Sequence, residues 1–90
     1  MNITNIRVKL LKNREGKLKA VASMVIDDCF VIHDIKVIET ENDCFVVMPS
    51  RKGSDGEYRD IAHPLNSEFR EYLKNLIIAE YKKALTEEET

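Results

Sequence analysis

Two cysteines in a chain of ninety residues, Cys29 and Cys44, are too few for a disulfide framework. In the hairpin order argued below they do not face one another, so both are expected as reduced, half-buried thiols. With His33 and His63 they make a nominal zinc set, but the close-spaced pairs of structural zinc sites are missing and no metal is expected. There is no Gly-rich phosphate loop, no serine elbow and no recognisable carboxylate cluster. Neither catalysis, a cofactor nor a small-molecule substrate is therefore expected. His33-Asp34 does not rescue a catalytic reading, because neighbours on a strand point to opposite faces. No apolar run is long enough to span a bilayer, which excludes a membrane-spanning helix. The segment Met1-Asn-Ile-Thr-Asn lacks a basic region followed by an apolar block, so no signal peptide is expected and the chain is assigned to the cytoplasm.

A basic surplus is also missing. The net charge of −2 argues against nucleic-acid binding on average. The average conceals segregation: residues 1–26 carry +5, residues 27–43 carry −5, and 44–65 balance. An acidic total therefore leaves room for a local basic face.

Hydrophobic periodicity gives the fold class. Ile6, Val8 and Leu10 alternate with Arg7 and Lys9 over residues 3–11, as in a strand wet on one side. Asn13-Arg14-Glu15-Gly16 closes a hairpin into residues 17–26, where Leu18, Ala20, Ala22, Met24 and Ile26 share a face and Val21 and Val25 make the other partly apolar. Asp27-Asp28 turns the chain into a third strand, Cys29 to Ile38, with Phe30 and Ile32 opposed to Val31, Ile35 and Val37. After the polar loop 39–43 come a fourth strand, Cys44 to Met48, and a fifth, Tyr58 to Ala62. An α+β fold is expected: a mostly antiparallel sheet of about five strands, covered by one C-terminal helix. Residues 1–85 form a single domain, and 86–90 are an acidic tail read as a frayed end.

The helix is expected over residues 67–85, capped by Asn66 or Ser67, with Phe69, Leu73, Leu76, Ile77 and Ala84 as its apolar stripe. Ile78, Tyr81 and Leu85 widen that stripe beyond one contact, and a homodimer is expected to use the surplus. Glu80 falls near the centre of the stripe and calls for a partner, either Arg59 or one of the histidines.

The most informative span runs from Phe45 to Pro64. Pro49 ends the pairing of the fourth strand and delivers Arg51 and Lys52 to an exposed loop, and Ser54-Asp55-Gly56 supplies a turn into the returning strand with Arg59. Phe45-Val-Val-Met-Pro-Ser-Arg-Lys, Asp55-Gly-Glu-Tyr-Arg-Asp-Ile and His63-Pro-Leu-Asn, preceded by Phe30-Val-Ile-His-Asp-Ile-Lys-Val-Ile, closely resemble the stage V sporulation protein G (SpoVG) family of bacteria. The resemblance covers nearly the whole chain. It implies a small cytoplasmic regulator, named for roles in septation and sporulation, that binds DNA and RNA. It also implies that Arg51 and Lys52 occupy the basic positions after the proline that the family links with nucleic-acid contact.

Residue chemistry points the same way for Arg51, Lys52 and Arg59, because flexible exposed cations reach phosphates without sequence readout. A solvated loop would look alike. Arg7, Lys9, Lys17 and Lys19 form a possible accessory patch across the first hairpin, which Arg70 and Lys74 on the helix flank could extend. The alternative is a protein-interaction module in septum formation that does not touch nucleic acid, docking through the exposed apolar flank of the helix.

Overall fold

The computed structural model describes residues 2–89, the side chain of Glu89 excepted. Four strands, β1 (Ile3–Leu10), β2 (Leu18–Ile26), β3 (Phe30–Glu39) and β4 (Cys44–Val47), form an antiparallel meander in the order β1-β2-β3-β4. Two short strands, β5 (Ser50–Lys52) and β6 (Tyr58–Asp60), pair in a separate ribbon, and the helix α1 (Ser67–Glu89) closes the chain. The α+β class and the single C-terminal helix are as the periodicity predicts. The fifth strand does not extend the main sheet, however. It pairs with β5, a strand formed by residues expected as loop, and the backbone of Ile61 closes the ribbon base by donating to Pro49 O at 2.7 Å.

The core lies between one sheet face and the helix. Ala20, Ala22, Met24 and Ile26 are buried in strict alternation along β2, facing Leu73, Ile77 and Tyr81 of α1. The three helical positions are spaced four residues apart, so they stack on one face. The two alanines keep that part of the sheet low. Burial of each large side chain here contributes about 1.5–3 kcal/mol. Tyr81 is thus a core residue, 2% exposed, and not part of a surplus sector. Its hydroxyl donates to Glu39 Oε1 at 2.8 Å, which satisfies the polar end of a buried ring. Burial first, and that hydrogen bond second, push the Tyr81 hydroxyl far up from its ordinary pKa.

Glu80, by contrast, sits half-buried at the flank beside β1, lining a surface cleft with Ile3, Ile6 and Lys83. Arg59 is engaged elsewhere, and neither histidine bonds to Glu80. The expected partnership was a consequence of centring the stripe one position off.

Local chemistry explains the boundaries. Asp27 and Asp28 both take left-handed backbone (φ 51° and 56°) in the tight turn that sets Ile26 opposite Phe30, and Cys29 N donates to Ile26 O at 3.0 Å. Asn66 caps α1, its Oδ1 accepting from Phe69 N at 2.7 Å, an interaction of about 1 kcal/mol. The helix does not stop at residue 85 but continues to Glu89, and Glu88 pairs with Arg14 from the first hairpin loop. Most of the acidic tail is therefore helical, and Thr90 lies outside the described residues.

A bulge shapes the third strand. Ala22 pairs with Ile35 and Met24 with Ile32, so His33 and Asp34 together oppose Ser23, and Asp34 takes φ 63°. This extra residue resets the alternation, and Ile32 joins Ile35 and Val37 on the core side instead of opposing them. Cys44 is half-buried as expected, whereas Cys29 is exposed beside its turn, and both are free thiols. Burial is the main cause that raises the Cys44 pKa, with Glu39 adding to it.

Candidate nucleic-acid interface

The β5–β6 ribbon carries the three cations singled out from the sequence. Its register places Arg51 directly across from Arg59 and Lys52 across from Tyr58. All four side chains are exposed, and no residue of either strand enters the core. Gly56 turns the ribbon with φ 86°, and Gly53 N donates to Glu57 O at 2.8 Å. Arg51, Lys52 and Arg59 border one open cleft of about 420 Å³ with Gly53 and Asp60. The structure thus brings the three together, on strands and not on a loop.

Two arginines facing each other across a ribbon repel, a pairing that stability alone disfavours. Asp55 relieves part of this repulsion. Its carboxylate takes both terminal nitrogens of Arg59, at 2.5 Å and 3.4 Å, and accepts from Glu57 N at 3.1 Å. The Arg59 guanidinium and then the Glu57 N–H hold the Asp55 carboxyl below its usual range. Gly53 makes room for this clamp, since a Cβ there would lie 2.6 Å from Arg59 Nη1 and 2.9 Å from Asp55 Oδ1. Arg51 and Lys52 have no such carboxylate among the ion pairs of the described residues. They are the cations left available to an anion.

The accessory group is divided. Arg7 and Lys9 project from β1 on the sheet face away from α1, beside Ser23, His33 and Asp34. Lys17 and Lys19 instead border a shallow cleft with Glu15, Glu39 and Glu41, and Lys19 Nζ donates to Arg14 O at 2.7 Å. A second bulge, between Leu18 and Ala20, breaks the alternation that would have aligned all four. Arg70 reaches back to Pro64 O at 3.4 Å, and Lys74 is half-buried on the helix near Cys44. Neither helical cation joins Arg7 and Lys9, which belong to the opposite side of the sheet.

His33 and Asp34, expected on opposite faces, line the same shallow cleft because of the bulge, but no hydrogen bond joins them. Among the described residues no three His, Cys, Asp or Glu side chains gather at metal-binding distance, and no helix is long and apolar enough to cross a membrane.

Over residues 1–83 the chain matches the model of a family described as SpoVG. It belongs to the SpoVG family. A relative from Agathobacter rectalis, named "Putative septation protein SpoVG", is 60% identical over 82 residues, covering 91% of this chain and 93% of its own length. Relatives of the same name from Clostridium acetobutylicum and Thermoanaerobacter sp. are 52% and 54% identical, covering 100% and 98% of this chain and 94% and 95% of theirs. The SpoVG match spans the sheet, the ribbon and most of the helix, so the ribbon cations lie inside the family's domain.

The Tyr81–Glu39 hydrogen bond and the Arg14–Glu88 pair join residues far apart in the chain. Only a correctly phased helix stripe, with Tyr81 at its centre, would have signalled the first, and no local pattern signals the second.

Proposed function

We propose that this SpoVG-family chain is a non-catalytic cytoplasmic regulator that binds DNA and RNA and so influences septation, sporulation and gene expression. The observation that carries the reading is the ribbon: Arg51 and Lys52 stand exposed beside Arg59 on a two-stranded arm that contributes nothing to the core. Such an arm can meet a phosphate backbone without disturbing the fold. Arg59, held by Asp55, positions the cleft, and Arg51 and Lys52 supply the contacts.

We further propose that the chain acts as a homodimer. Around the groove of about 670 Å³ lined by Met24, Met48, Phe69 and Leu73, the linker leaves Ile61 and Leu65 68% and 93% exposed. Apolar side chains this open beside a gap leading to the core suit a second copy. The same patch supports the second reading, a protein-interaction module in septum formation that does not bind nucleic acid.

A salt titration of binding to short DNA and RNA separates the two. The regulator loses affinity steeply as salt rises, whereas the interaction module binds neither probe even at low salt. Replacing Arg51 and Lys52 with Ala is expected to lower the slope of log affinity against log salt by roughly one per contact, up to about four for a dimer. A double variant that melts like the parent and keeps both affinity and slope would place the contact elsewhere.

A further inference from the structure

Among the described residues, nothing covers one face of the main sheet. Helix α1 occupies the other face, and on the open side the register sets Lys9, Val21, Lys36 and Val47 side by side across all four strands. Next to this row Ile38 pairs with Phe45, and Arg7 pairs with Ser23. None of these side chains packs into the core, and Phe45 is 37% exposed. The face is therefore an apolar strip bordered by cations.

Its charge is one-sided. The four strands contain two carboxylates, Asp34 and Glu39, and Glu39 is turned to Tyr81 on the helix side. Asp34 alone offsets Arg7, Lys9 and Lys36, in a chain whose total is −2. A second copy laid face to face would bury three cations against three, with one carboxylate from each side to compensate, which is costly. A polyanion meets no such conflict.

Apolar surface between the cations also selects the kind of polyanion. A duplex keeps its bases stacked inside and offers mainly phosphate to a flat sheet, whereas a single strand can lay base faces on Phe45 and the aliphatic strip while its phosphates meet the cations. Lys9 and Lys36 are two strands apart, about 10 Å, with Val21 between them. We propose that this open face binds single-stranded nucleic acid, through phosphate contacts from Arg7, Lys9 and Lys36 and base stacking on Phe45. The proposal rests on the nucleic-acid reading given above, but at a surface separate from the ribbon.

The test compares the parent with Lys9→Ala/Lys36→Ala, Phe45→Leu and Arg51→Ala/Lys52→Ala, using labelled U12, T12 and a 12-base-pair duplex in fluorescence anisotropy across a salt series. Circular dichroism melts and light scattering accompany every variant. Lys9→Ala/Lys36→Ala is expected to weaken single-strand binding at least tenfold and to lower the salt slope by roughly 1.4, at about 0.7 per contact, with duplex binding unchanged. Phe45→Leu should weaken it about fivefold or more with no change in slope, as loss of stacking requires. The U12 and T12 arms cover a ribose and a deoxyribose strand, and a loss in either supports the proposal. Face variants that bind single strands like the parent, while the ribbon variant loses binding, overturn this proposal and leave the nucleic-acid reading standing. Absence of all binding by the parent at low salt overturns both. A fall in molecular mass for the face variants would show that a second copy covers the face, and a loss confined to binding of phosphatidylserine vesicles would show a lipid surface; either result also overturns it.

Discussion

The main sheet and the β5–β6 ribbon are both antiparallel and adjacent in the chain, yet they are held by different physics. In the sheet, Ile35 and Val37 are fully buried in the core they share with Ile77 of α1, so packing fixes the register. In the ribbon every cross-strand pair beyond Ser50 is exposed, and its shape comes from Gly53, Gly56, the backbone bond to Pro49 and the Asp55–Arg59 clamp. Substitutions on the buried face of the sheet should therefore register in stability, and those in the ribbon should leave stability nearly unchanged.

The largest expected breach of that contrast is Ile77→Ala. Deleting a fully buried side chain at the centre of the helix stripe should cost about 2–5 kcal/mol, or ~10–25 °C in melting temperature for a domain of this size. A scanning melt reads it directly, and a drop under about 3 °C would mean that the helix does not cover the sheet as described.

Next in size is Tyr81→Phe, which keeps the ring and removes the bond to Glu39, at about 1–2 kcal/mol by urea unfolding. It has a pH signature. The folded chain holds the hydroxyl protonated, so Tyr81 ionises more readily when unfolded, near pH 10. Its contribution is present below that value and declines as the pH rises above it. The parent should lose stability in that alkaline range more steeply than the variant, and identical profiles would refute the linkage.

Smaller still is the effect of Arg51→Ala/Lys52→Ala on stability, within about 0.5 kcal/mol for each residue, since neither side chain is buried. Denaturant midpoints that shift well beyond this would make the ribbon part of the cooperative body.

The smallest effect concerns Asp55. Its carboxyl pKa is lowered in the fold, so the clamp on Arg59 is intact above the ordinary carboxylate value of about 3.9 and is lost as the pH falls through the lower folded value. Asp55→Asn should leave the melting temperature unchanged while shifting the Arg59 side-chain resonances in NMR, and only the parent should show an acid-induced change there. A variant that retains those resonances unaltered would remove the clamp from the account.

Much of this was readable from residues alone. Alternation in β1 and β2, the Asp27-Asp28 turn, the Asn66 cap and the exposure of Arg51 and Lys52 after Pro49 all follow from local rules acting over a few residues. The candidate site was less legible: Arg51, Lys52 and Arg59 were picked out, but not their pairing across a ribbon or the split of Arg7 and Lys9 from Lys17 and Lys19.

By itself, then, the sequence determined the four strands of the main sheet, the returning strand at Tyr58 and the start of the helix, because period, turn residues and caps are short-range properties. Tertiary structure alone decided that Ser50–Lys52 pairs with Tyr58–Asp60 outside the main sheet, that a bulge at His33–Asp34 brings Ile32 to the core, that Tyr81 and not Glu80 faces inward, and that Glu88 reaches Arg14. Each depends on which surfaces meet once the helix has settled on the sheet. A shift of one residue in strand register or helix phase exchanges inside for outside, and no local pattern carries enough energy to fix that shift alone.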